Sequence, residues 1–88
     1  MAYWTISFSK GAEKQLYKLD KPVQDRILRY LHQRVIHNAR GLGKPLVAEK
    51  TGFWRYRVGD YRVVAELREK ELIVEVIRVG HRKEVYDF

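Results

Sequence analysis

Between residues 53 and 79 the chain alternates apolar and polar side chains in three runs, Phe53 to Val58, Tyr61 to Arg68 and Leu72 to Val79. Only Gly59-Asp60 and Glu69-Lys70-Glu71 separate them. A period of two marks strands with one buried face, and connections this short leave no room for a crossover, so neighbouring runs must pair antiparallel. In the first run Trp54, Tyr56 and Val58 share one face and Arg55 and Arg57 the other. In the second, Val63, Ala65 and Leu67 form the core set, and Arg62 lies opposite with Val64 and Glu66.

Upstream, Trp4, Ile6 and Phe8 alternate with Tyr3, Thr5 and Ser7, which predicts a strand over residues 3 to 8. Ser9 has the chemistry of an N-cap, and Ala12, Leu16 and Leu19 follow at helical spacing, giving a short helix to about Leu19. Asp20-Lys21-Pro22 ends it and opens another, because proline costs nothing in a first turn where its missing N–H would be unpaired. Val23, Ile27, Leu31 and Val35 form the apolar stripe of this second helix and Leu28 widens it. Arg26, Arg29 and Arg34 fall outside the stripe, on a solvated face. From Asn38 to Gly52 the pattern lapses into a connector that Leu42, Leu46 and Val47 would pin down. The fold class is therefore α+β: an N-terminal strand, a helical hairpin, then a three-stranded antiparallel meander, one sheet covered on one face by two helices. Residues 1–88 make a single domain with no repeat or linker.

The 88 residues include no cysteine, so disulfides and thiolate metal sites are excluded, and His32, His37 and His81 are too scattered for a zinc set. No metal and no cofactor is expected. A reducing, cytoplasmic setting is expected: no apolar run reaches the roughly 18 residues of a membrane span, and the start lacks the pattern of a signal peptide. A net charge of +7 favours a polyanion or an acidic protein as partner.

The cations concentrate where chemistry is conceivable. A two-residue turn at Gly59-Asp60 brings Arg62 beside Arg57 and Arg55, and three guanidinium groups on one face need hydration or anions to balance them. The plain alternative is a solvated strand face with Arg57 or Arg62 paired to Asp60 or Glu66. After Gly80, which frees the backbone, His81, Arg82 and Tyr86 join the arginine face if the tail folds back along the sheet. Metal-free RNA cleavage needs a base for the 2′-hydroxyl, cations for the pentacoordinate phosphate and an acid for the leaving oxygen. Arginines meet the second need. An unperturbed imidazole ionises near 6.5, which makes His81 the simpler proton carrier, while Tyr86 would need its pKa lowered by the arginines.

These residues carry a resemblance. Met1-Ala2-Tyr3 opening a strand, the two helices, Lys44-Pro45-Leu46, the run from Trp54 to Arg62, and Val79-Gly80-His81-Arg82 with Tyr86 together resemble the RelE/ParE toxin superfamily of toxin–antitoxin modules, nearer its RelE side. The resemblance implies a fold similar to microbial ribonucleases and a metal-independent endoribonuclease, an mRNA interferase that cuts messenger RNA in the ribosomal A site, inhibits translation and leaves a 2′,3′-cyclic phosphate. It implies that Arg55 and Arg57 bind RNA, that Arg62 and Arg82 hold the scissile phosphate, and that Tyr86 is base or stacking platform. The pattern departs from the best-known RelE members, which have lysines at Arg55, Arg57 and His81, and whose spacing from the arginine at Arg82 to the tyrosine is two residues longer. Arginine is a poor proton carrier, so His81 would take a share of the acid–base work. The implied partners are the ribosome, mRNA and a cognate RelB-like antitoxin that forms a hetero-oligomer with the toxin. Two other readings remain open on the sequence: a ParE-like inhibitor of DNA gyrase, and a relative that binds RNA without cutting it.

Overall fold

The first change of direction lies at Ser9, whose Oγ accepts the Ala12 N–H at 3.1 Å and so satisfies one of the free donors of a helix start. It separates β1 (Thr5–Phe8) from α1 (Lys10–Tyr17), which ends two residues before the Leu19 expected. Pro22 follows in the first turn of α2 (Lys21–Gln33), and a 3₁₀ turn at Val35–His37 completes its apolar stripe. Ile27, Leu31 and Val35 are fully buried. Then come β2 (Lys44–Pro45), β3 (Phe53–Val58), β4 (Tyr61–Arg68), β5 (Ile73–His81) and a short α3 (Arg82–Val85). This computed structural model describes residues 3–45 and 52–85, so the expectations placed on Met1, Ala2, Leu46, Val47 and Tyr86 lie outside the described residues.

The strands form one sheet in the order β1-β5-β4-β3-β2, with β1 parallel to β5 and every other pair antiparallel. The meander and the helix-covered face agree with the sequence reading. The connector does not, because Lys44 and Pro45 pair with Arg55 and Trp54 as an additional strand. A two-residue edge strand has no alternation to betray it.

Both helices pack on the face that carries Tyr56, Val58, Val63, Ala65, Leu67, Val74, Val76 and Val79, with Ala12, Leu16, Ile27 and Leu31 opposite them. Burial at this scale, roughly 1.5–3 kcal/mol for each large apolar side chain, is the main force holding helices to sheet. Tyr56 lies at its centre, fully buried, and its hydroxyl donates to the Ala39 carbonyl at 2.5 Å, which fixes the connector to β3. Gly43 makes that approach possible: a Cβ there would lie 2.7 Å from Cε1 of the Tyr56 ring.

A β-bulge decides which way the end of β5 faces. The register runs Val63↔Val79 and Val64↔Arg78, then Ala65↔Val76, so Ile77 has no partner opposite it. One unpaired residue shifts the period by one. Val76 and Val79 therefore both face the helices although they are three apart.

A candidate phosphate-binding face

The β3–β4 hairpin turns on Gly59 and Asp60, with Gly59 at φ +61° and Val58 paired to Tyr61. A positive φ at the first of two turn residues suits the right-handed twist of the strands and costs glycine nothing. The turn sets the register that follows. Arg57 lies directly across from Arg62, and Arg55 across from Val64, so all three arginines share the face away from the helices. Cβ atoms of residues opposed in this way are only about 4.5–5.5 Å apart.

Arg62 is the unexpected member of the group. The sequence reading placed it outward, and it does lie on the outward face, yet it is only 9% exposed and is the one charged side chain among the described residues that is buried. Val64 beside it is buried too, lying between Arg55 and Arg78 in the register. Across β5 the residue facing Arg62 is Gly80, which brings no side chain to the pair. Gly80 thus continues β5 instead of freeing the backbone, and the strand runs on through His81.

The charge on Arg62 is poorly compensated. Burial pushes its guanidinium below the usual arginine range, the charges of Arg57, Arg55 and Arg82 push the same way, and Asp60 opposes them. Arg62 remains protonated at any physiological pH. Neither it nor Arg57 has an ion pair among the described residues, so the pairing with Asp60 or Glu66 considered above does not form; Glu66 lies instead with Arg68. Among the described residues the Arg62 side chain makes one hydrogen bond, a long one from Nη1 to the Tyr61 carbonyl at 3.4 Å.

Arg82 reaches this face through its backbone. Its N–H donates to the Asp60 carbonyl at 2.8 Å, which fastens the start of α3 to the hairpin turn. His81 goes elsewhere. The bulge sends it to the face of Tyr61, its partner in the register, and the two rings meet edge to face with centroids 5.5 Å apart. His81 does not join the arginine face as the sequence reading had it. Its Nδ1 accepts the Lys83 N–H at 3.2 Å, an arrangement that leaves Nε2 to carry the proton of the neutral ring.

Lys44 is a member of the site that the sequence reading missed. Paired with Arg55 at the sheet edge, it lines a cavity of about 250 Å³ together with Leu42, Arg55 and Arg57. Its only signal was the Lys44-Pro45 dipeptide in a connector without periodicity. Among the described residues no three histidine, aspartate or glutamate side chains come together as metal ligands. No described helix is long and apolar enough to cross a membrane.

A cationic face built on a sheet with two helices behind it invites comparison with known proteins. Residues 6–86 match the family model described as ParE toxin of type II toxin–antitoxin system, parDE. The chain belongs to that family. It is 26% identical over 83 residues to Toxin RelG of Mycobacterium tuberculosis, covering 94% of this toxin and 95% of RelG. In structure it is similar to a chain of the RelBE2 toxin–antitoxin complex of the same organism, with a TM-score of 0.84 and 27% identity over 93% of this chain and 100% of that one. A double mutant of Escherichia coli RelE in its free state shares the fold, with a TM-score of 0.79 and 24% identity over 98% and 90% of the two chains. The toxin is thus a type II toxin–antitoxin toxin of the RelE/ParE group, as the resemblance implied.

Proposed function

We propose that this toxin is an endoribonuclease that cuts mRNA in the ribosomal A site without a metal and so inhibits translation. The observation that carries the reading is Arg62: a buried cation surrounded by Arg55, Arg57 and Arg82, offset only in part by Asp60 and with no ion pair among the described residues. A site held in this state favours an anion that brings more than one negative charge, and most of all a phosphate whose charge grows in the transition state.

In this reading Arg62 and Arg82 hold the non-bridging oxygens of the scissile phosphate, while Arg55 and Arg57 guide the strand on either side. The 2′-oxygen forms a bond to phosphorus as the bond to the 5′-oxygen breaks, leaving a 2′,3′-cyclic phosphate and a free 5′-hydroxyl. One proton leaves the 2′-hydroxyl and one reaches the 5′-oxygen. Tyr86 and His81 are the groups proposed to move them. His81 lies on the Tyr61 side of the strand end, away from the arginine face. A RelB-like antitoxin in the same cytoplasm is the proposed protein partner, in a hetero-oligomer; RelB–RelE complexes are among the similar structures.

The test is cell-free translation with purified toxin and primer extension on the message, alongside Arg82→Ala and Tyr86→Phe. Cuts inside the reading frame that require ribosomes and weaken in both variants support the proposal. The matching family model is named for ParE, and the ParE-like side of the resemblance implies a second reading, inhibition of DNA gyrase. An intact message together with loss of supercoiling activity would establish that reading instead.

A further inference from the structure

Arg26 and Arg29 of α2 and Arg34 at its end are exposed, as periodicity placed them, and they also line a cleft. Arg26, Arg29 and Arg34, with Tyr30 and Gln33, face Arg57, Val58 and Gly59 across a cleft of about 360 Å³. Four guanidinium groups and no carboxylate line it. None of the four has an ion pair among the described residues; Asp25 on the same helix pairs with Lys21, and Asp60, next to Gly59 in the turn, pairs with none of them. Arg26 lies so close to the turn that a Cβ on Gly59 would meet its Nη1 at 2.7 Å.

Arg57 belongs to two places at once. It lines this cleft and also the cavity of Leu42, Lys44 and Arg55, and it stands directly across from Arg62. The cleft is therefore continuous with the phosphate face, and at about 3.3 Å per strand residue Arg57 and Gly59 are roughly 7 Å apart. Tyr30 adds a half-buried ring, with Arg34 6.0 Å from its centroid. Arginines interleaved with an aromatic surface are what a single nucleic-acid strand uses, phosphate on cation and base on ring. An acidic peptide would use the cations alone.

We propose that the cleft between α2 and the β3–β4 turn is a second phosphate-binding site for RNA, taking a backbone phosphate of the strand that flanks the one held at Arg62. The proposal rests on the RNA-directed reading above, but it concerns binding and is measured without cleavage. The occupant is RNA, with Tyr30 against a base and Arg26 and Arg29 on the phosphate.

The experiment uses full-length toxin and fluorescent single-stranded oligonucleotides made uncleavable by 2′-O-methyl groups, one of three nucleotides and one of ten. Affinity is read by anisotropy across a salt series for the wild type, Arg26→Gln/Arg29→Gln, and Arg34→Gln alone. All three positions are exposed, and matching thermal melts establish that the variants fold. The double variant should bind the longer strand about tenfold more weakly. Its salt dependence should be shallower by about 0.7 for each phosphate that is no longer neutralised, and the three-nucleotide strand should bind as before. Arg34→Gln should show the same effect more weakly. Equal affinity for the longer strand in wild type and double variant would overturn the proposal, whatever the outcome of the cleavage assay. So would an equal loss for both lengths, which would mean that the arginines act through the general field of the protein. Unchanged RNA binding with weakened antitoxin binding would reassign the cleft to a protein partner.

Discussion

Arg62→Met separates what the arginine face does for the fold from what it does for function. Methionine keeps a long unbranched stem of similar shape and removes the charge. The Arg62 residue is 9% exposed and stands opposite Arg57. Two like charges about 6 Å apart repel by roughly 0.7 kcal/mol in a water-like dielectric and about 2.8 kcal/mol at an effective dielectric of 20, which brackets a pair opposed in this way. Arg57 is exposed, which favours the lower part of that range, while Arg55 and Arg82 add to it and Asp60 takes some of it back. The hydrogen bond that the substitution removes, 3.4 Å long to the Tyr61 carbonyl, is worth no more than about 0.5–1 kcal/mol. The variant should therefore be more stable by about 1–2 kcal/mol, a rise in Tm of roughly 4–15 °C for a chain of this length. Thermal melts followed by circular dichroism at low salt measure it. The gap should narrow in 1 M salt, where the screening length is about 3 Å. Inorganic phosphate should stabilise the wild type and have little effect on the variant. A variant that melts at or below the wild type would refute the reasoning, because the charge on Arg62 would then be compensated in the folded protein.

Burial, reinforced by Tyr30, raises the pKa of the Tyr56 phenol far above its usual value near 10, so the folded state keeps a proton that the unfolded chain releases. The stabilisation is fully present below pH 10 and is lost above it, at about 1.4 kcal/mol per pH unit for this group, and Tyr56→Phe should remove that part of the slope in denaturant melts taken from pH 9 to 11. Gly59→Ala should cost about 1–2 kcal/mol through the backbone at φ +61°. The cost should be the same in an Arg26→Gln background, because the Arg26 side chain can swing away; a smaller cost there would assign it to the clash with that side chain. Ser9→Ala should lower stability by about 1 kcal/mol in the same melts through loss of the cap on Ala12.

The meander was legible because its connections are too short for anything but antiparallel pairing and because Gly59-Asp60 fixes Arg57 opposite Arg62. The helices were legible from the Ser9 cap, from Pro22 and from the stripe through Ile27 and Leu31. β2 was hidden because two residues carry no period, and its pairing with Arg55 is decided by the close approach of Gly43 to Tyr56. The bulge at Ile77 was equally silent, since any apolar residue fits an unpaired strand position, yet it alone sends His81 to the Tyr61 face. Burial of Arg62 could not be read from alternation, which gives the side of a sheet and not what stands over it. The arginines of α2 were visible as charges, but their cleft depends on how the helix lies across the hairpin turn.

The central claim is that the Arg62–Arg82 face carries phosphoryl transfer through the 2′-hydroxyl of a bound message. Its most direct test is a single-turnover reaction of the toxin with programmed ribosomes. One message is all ribose, and a second has a single 2′-deoxy residue on the 5′ side of the cut; Arg82→Ala runs in parallel. The predicted result is cleavage of the first message with a 2′,3′-cyclic phosphate end, no cleavage of the second, and a loss of about 10²- to 10³-fold in rate for the variant. Cleavage of the deoxy message, or an Arg82→Ala rate equal to the wild type, would contradict it.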